Sequence, residues 1–143
     1  MIKFPMKFEV RANCNEGISA AWTSQAGSLP PIPSAIPAEF MGPGTGYSPE
    51  DLFALAVLNC LIATYKVYCE KSKIRFKSIA GKATLIVDRQ NGSFIMAQVD
   101  IELDVQGASD PVKAKTLLET AIRDCPIANS IKSGKTFKIS VRD

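Results

Sequence analysis

The sequence predicts an α+β fold in which strands, a long helix, more strands, further helices and a last strand follow one another without βαβ repetition. Three observations lead there. A helix start is written at Ser48-Pro49-Glu50-Asp51, an Asn91-Gly92 turn lies between two long alternating runs, and residues 27–47 are dense in proline and glycine. With 143 residues, 46% of them hydrophobic, the chain has the size and apolar content of a single domain spanning 1–143.

The elements follow in order. From Met6 to Asn13 apolar and polar residues alternate, and Ile18 to Trp22 follows the turn-like Asn15-Glu16-Gly17, which predicts an opening antiparallel hairpin. Pro30, Pro31, Pro33, Pro37 and Pro43 with Gly42, Gly44 and Gly46 forbid a continuous helix or central strand up to Tyr47; so long a loop in a compact domain is functional or pinned by a partner. Ser48 is an N-cap, Pro49 suits the first helical position, and Glu50 and Asp51 place negative charge where the macrodipole favours it. From Leu52 to Ala63 that helix is apolar on nearly every face, so it is expected to be enclosed on all sides. The apolar run from Leu52 to Thr64 is shorter than the roughly 20 residues that span a bilayer, so no membrane is expected. Glu70-Lys71-Ser72-Lys73 marks the helix end.

Two alternating strands, Ile74–Asp88 and Ser93–Val105, flank Arg89-Gln90-Asn91-Gly92, a strong hairpin signal. Asp110-Pro111 caps an amphipathic helix carrying Val112, Leu117, Leu118, Ala121 and Ile122. Cys125-Pro126 reads as the start of a further short helix, and Thr136–Val141 as the last strand.

Charge and composition exclude several functions. The 17 basic and 14 acidic residues are interspersed, giving a formal net charge of +3, which is a solubility feature and not a nucleic-acid footprint. Met1-Ile2-Lys3-Phe4-Pro5 shows no long apolar stretch or small-residue cleavage site, so a cytoplasmic location with reduced thiols is expected. The chain has no histidine, which removes every Ser-His or Cys-His catalytic pair. Its four cysteines, at 14, 60, 69 and 125, include no Cys-x-x-Cys, so neither a metal nor a cofactor is expected.

A reactive cysteine here must therefore be activated by an arginine or lysine, a helix terminus or a carboxylate network. Cys125 precedes Pro126 at a predicted helix start, where free N–H groups would depress its pKa; alternatively it is a half-buried packing thiol. Cys60 sits in the most apolar helix, where desolvation makes a thiol inert unless a cation is near. Glu50 precedes it by ten residues, about 15 Å along an ideal helix and about 80° round it, so the two cannot touch without an intermediary. Cys69 faces the other side of the helix and reads as structural; Cys14 reads as a partly exposed loop thiol.

Ser48-Pro49-Glu50-Asp51-Leu52-Phe53-Ala54, Asn59-Cys60 and Asp124-Cys125-Pro126-Ile127-Ala128 together resemble the OsmC/Ohr family (osmotically induced protein C and organic hydroperoxide resistance protein), in which a Pro-Glu-x-Leu segment precedes one cysteine and a Cys-Pro motif carries a second. Gly42-Pro43-Gly44-Thr45-Gly46 resembles its Gly-rich lead-in, and the likeness covers nearly the whole chain. The resemblance implies an intertwined homodimer of antiparallel sheets wrapped around two central helices. It also implies reduction of organic hydroperoxides by Cys60, resolution by Cys125, and recycling by a dithiol reductant of the lipoyl type. Phe40, Met41, Tyr47 and Phe53 are then candidates for a pocket around an apolar peroxide tail, or ordinary core residues.

The family's arginine, held by the glutamate that matches Glu50, falls in the first hairpin. Here that turn reads Asn15-Glu16-Gly17 and the nearest arginine is Arg11. This departure keeps a second reading open: a redox-sensing or small-ligand-binding dimer of the same fold without efficient turnover.

Overall fold

The computed structural model describes residues 1–143. By its internal contacts the chain divides into two compact units, Met1–Leu52 and Phe53–Asp143.

The first unit holds a three-stranded antiparallel sheet, β1 (Val10–Asn13), β2 (Trp22–Ala26) and β3 (Ile32–Ser34), in that spatial order. The predicted hairpin is present with shifted strands: β2 begins only at Trp22 and pairs Arg11 with Gln25. The residues before it form a turn, with Gly17 at φ +103° and Ala20 N–H donating to Gly17 O at 3.1 Å. Strand β3 is not evident in the sequence because Pro33 lacks an N–H, a defect that only an edge strand tolerates. The proline-rich segment is ordered by its own backbone. Tyr47 N–H donates to Pro33 O at 2.9 Å, Ala35 N–H to Tyr47 O at 3.2 Å, and Gly44 N–H to Ile36 O at 3.1 Å. At Gly46 any Cβ would stand 2.8 Å from the backbone of Pro33 and Ser34, so only glycine permits this approach. The unit buries Ser34, Ala35 and Ser48 but leaves Phe4, Phe8 and Val10 exposed.

Helix α1 runs from Pro49 to Ser72. Its start is a reciprocal cap: Asp51 N–H donates to Ser48 Oγ, and Ser48 N–H to an Asp51 carboxylate oxygen, both at 3.0 Å. Its end is a left-handed Lys73 at φ 56°, with Ile74 N–H closing on Cys69 O at 3.0 Å. The helix is longer than its apolar stretch, because Tyr65–Ser72 continue it to 24 residues. By length and composition it could cross a membrane, a measure that core helices of soluble proteins also meet.

In the second unit β4 (Ser78–Gln90) and β5 (Ser93–Gln106) form the predicted hairpin, with Asn91 at φ 50° and Gly92 at φ 80° in its turn. Helix α2 (Pro111–Asp124) is capped by the Asp110 carboxylate, which accepts from Lys113 N–H at 3.1 Å. It leads to β6 (Gly134–Val141), which joins the free edge of β5 in parallel, so this sheet is mixed within the predicted α+β class.

The core is made by one face of each element. Val57, Leu61, Tyr65 and Cys69 of α1, at helical spacing, meet Val99, Ile101, Leu103 and Val105 of β5, at strand spacing, with Leu118 and Ala121 of α2. Leu58 approaches the sheet at Gly81, where a Cβ would stand 2.7 Å from its Cδ1. The expectation that α1 is enclosed on every side is not met within the chain, since Leu55 is 38% and Val67 48% exposed. One sheet covers one face of a helix, and an all-round apolar helix needs a second cover.

Leu61 is fully buried, so Leu61→Ala leaves a cavity in this core and is expected to lower stability by about 2–5 kcal/mol in urea unfolding. A loss below about 1 kcal/mol would show that α1 does not depend on this face.

Candidate redox site

The structure brings the thiols of Cys60 and Cys125 close together, although 65 residues separate them. Both belong to the second unit, and both are free thiols. Cys60 is half-buried at the margin of the core, on the α1 turn between Val57 and Leu61, while Cys125 is completely buried. Of the two, Cys60 is the less enclosed.

Cys125 is the C-cap of α2, where the chain leaves the helix at φ −60° and ψ 115°. The helix expected after it is a single 3-10 turn, Ala128–Ser130. A depressed pKa is not found. Burial, with the neighbouring Cys60 thiol, pushes Cys125 up to about 11, against the backbone N–H groups of Ala128 and Ile127, which pull it down. A short turn offers too little charge to offset desolvation. Cys125 is therefore a protonated thiol at neutral pH.

The segment carrying Cys125 is braced at several points. Tyr68 Oη, on α1, donates to Asp124 Oδ2 at 2.8 Å, and Arg123 Nε donates to Asp124 Oδ1 at 3.2 Å. Tyr68 and then Arg123 hold the Asp124 carboxyl below its usual range, while Asp124 raises the Tyr68 phenol. Asn129 satisfies the end of α2 twice, its side chain donating to Arg123 O at 2.9 Å and its backbone N–H to Cys125 O at 3.0 Å. Tyr68 was not singled out in the sequence: its one signal is a phenol eight residues beyond Cys60, about 80° round the helix.

Arg11 lies in β1 with its side chain 82% exposed and pairs with Glu9 Oε1 at 2.7 Å, a surface contact of little energetic weight. Glu50, also in the first unit, keeps a buried Oε2 without a hydrogen-bond partner, so the expected Arg11–Glu50 pair is not formed within the chain. The cause is local, since Glu9, just before β1, is two residues from Arg11 and accepts from its guanidinium. Met41 and Tyr47 are exposed and Phe40 half-buried in the first unit, whereas Phe53 packs against the core of the second. A shallow depression of about 340 Å³ lies elsewhere, on the outer face of β4, β5 and β6 between Lys82, Glu102, Asp104, Lys138 and Ser140.

Cys69 is buried beside Tyr65, as expected of a structural thiol. Burial raises it, and the Tyr65 hydroxyl, which lies close without a well-formed hydrogen bond, lowers it. Cys14 is exposed and its Sγ donates to Asn15 O at 3.0 Å.

A thiol whose pKa is raised by folding stabilises the fold below the unfolded thiol's pKa, and that stabilisation is lost as the pH climbs to the folded value. For Cys125 the window runs from about 9 to about 11, and Cys69 acts with the same sign. Urea unfolding is expected to show stability falling across that window, with a shallower fall in Cys125→Ala. Equal alkaline slopes in the two proteins would refute the assignment.

No curated protein matches the chain by sequence. Solved structures do match by fold. An OsmC-like protein of unknown function from Vibrio cholerae superposes with a TM-score of 0.83 at 18% identity, covering 95% of this chain and 100% of that one. An organic hydroperoxide resistance protein from Elizabethkingia anophelis gives 0.74 at 21% identity, over 94% and 97% of the two chains. The organic hydroperoxide resistance protein OhrB of Bacillus subtilis gives 0.63 at 22% identity, over 95% and 98%. At such identities the likeness shows the fold alone. The family model for OsmC-like proteins matches residues 42–140, which include both thiols, Glu50 and the helix that begins at Pro49, and the chain belongs to the OsmC-like family.

Proposed function

We propose that the protein is a thiol peroxidase that reduces organic hydroperoxides, with Cys60 as the attacking and Cys125 as the resolving cysteine. The observation that carries this reading is the closeness of a half-buried thiol to a wholly buried one. That arrangement suits a two-cysteine cycle, because the first must meet the peroxide and the second only its product.

The steps follow from the two sulfurs. The Cys60 thiolate attacks the distal peroxide oxygen, the O–O bond breaks, and the departing alkoxide takes a proton to leave as an alcohol. Cys60 is then a sulfenic acid. The Cys125 sulfur attacks the Cys60 sulfur, the S–O bond breaks, and the hydroxyl leaves as water with the Cys125 proton, forming a disulfide. A dithiol of the lipoyl type reopens that disulfide by two exchanges and is itself oxidised to a cyclic disulfide.

A homodimer belongs to the same proposal. Two features of the single chain support it: apolar side chains left exposed on the first unit and on α1, and a buried Glu50 oxygen without a donor. A second subunit would cover the one and offer a cation to the other. The alternative reading, a redox-sensing or ligand-binding dimer without efficient turnover, is favoured by a specific observation, the engagement of Arg11 with Glu9 away from Glu50.

Stopped-flow oxidation of the reduced protein by cumene hydroperoxide and by hydrogen peroxide separates the two. The peroxidase reading expects faster reaction with the organic peroxide, complete loss in Cys60→Ser, and in Cys125→Ser a retained first step without disulfide. Slow oxidation that is the same in wild type and Cys60→Ser would leave the second reading. Sedimentation at the mass of one chain would remove the dimer.

A further inference from the structure

We infer that Tyr68 is a positioning residue for the resolving step: its hydrogen bond to Asp124 holds the Cys125-bearing end of α2 against α1 so that the two sulfurs can close into a disulfide. The inference rests on the proposed roles of Cys60 and Cys125 and adds a residue to them.

Disulfide closure demands narrow geometry, with Cα atoms about 4.4–6.8 Å apart and a dihedral near ±90°, so the relative placement of the two backbones sets its rate. Cys60 is fixed by the α1 core face. Cys125 is buried in the same core, but it is the residue at which α2 ends and its backbone already leaves the helical conformation. The direction of its side chain therefore depends on where the last turn of α2 is docked. Pro126, next in the chain, has no N–H with which to anchor the exit.

To the burial of Leu118, Ala121 and Cys125 in the core, the Tyr68–Asp124 bond adds a directional tie to α1. It joins a residue of the helix that carries Cys60 to the residue immediately before Cys125, across 56 positions of sequence. Its phenol stands on a ring that packs against the core, which makes it a stiff strut with two torsions. The acceptor is steadied from its other oxygen by Arg123. The bonds of Asn129 to Arg123 and Cys125 are internal to the α2 terminus and its following turn, so they shape this segment without tying it to α1.

The consequence falls on a competition. A sulfenic acid at Cys60 is either captured by Cys125 or attacked by a second peroxide to give a sulfinic acid, which the dithiol cannot reverse. Loosening the strut should leave the first oxidation alone and slow the capture.

The experiment compares wild type with Tyr68→Phe, Asp124→Ala and Asp124→Asn in the full chain, each checked for native far- and near-UV circular dichroism. Closure is driven in two ways, by one equivalent of cumene hydroperoxide and by diamide, which oxidises two adjacent thiols directly as its N=N bond is reduced to a hydrazine. Tyr68→Phe and Asp124→Ala should close about five- to tenfold more slowly with either oxidant, the scale of one lost hydrogen bond. With excess hydroperoxide they should also accumulate Cys60 sulfinic acid by mass spectrometry, while dimedone trapping finds the sulfenic acid forming at the wild-type rate. Asp124→Asn keeps an amide oxygen that accepts from Tyr68 and should close at close to the wild-type rate. Closure of folded Tyr68→Phe within twofold of wild type overturns the inference, as does a wild type in which diamide fails to join Cys60 to Cys125. A wild type that closes with diamide but ignores peroxide would overturn the peroxidase reading alone, and the diamide rate of Tyr68→Phe would still decide the role of the strut.

Discussion

The burial of one face of α1 against β5 is the constraint from which the site follows. Val57, Leu61, Tyr65 and Cys69 recur at helical spacing and meet Val99, Ile101, Leu103 and Val105, which recur at strand spacing, so the rotation of the helix about its axis is fixed by apolar area alone. Gly81 lets Leu58 settle onto the sheet and sets the depth of that contact. Turning α1 by one residue would swing every side chain by about 100° and take Cys60 from the margin of the core into solvent or fully inside it. Its half-buried position is thus a result of packing.

The chemistry available there is narrow. Without histidine the chain has no neutral-pH base to share a proton with sulfur, and its one early arginine in a strand is engaged by Glu9. What distinguishes the two thiols is burial. Cys125, enclosed and raised to about 11, keeps its proton, while Cys60 is only half-buried.

Fold and function separate clearly in this family member. Structures at 18–22% identity share the architecture over nearly the whole chain, and that likeness carries topology, not reactivity. Reactivity has to be argued from the sulfurs, from the carboxylate of Glu50 left without a donor in the single chain, and from the apolar surface around α1 that one sheet does not cover.

Local signals alone determined a good part of this protein. The Ser48–Asp51 cap, the Asn91-Gly92 turn and the Asp110-Pro111 start each depend on a few neighbouring backbone groups, and each stands where the sequence places it. Strand β3 and the parallel docking of β6 were illegible, because they are decided by partners far along the chain that have no counterpart in local pattern. At the site, Cys60 and Cys125 stood out as residues, while their closeness, the protonated state of Cys125 and the Tyr68–Asp124 strut did not. Sequence spacing fixes what lies on one element. Desolvation and contact between elements are fixed by the packing of α1 and α2 on a shared sheet, and that exists only once the chain has folded.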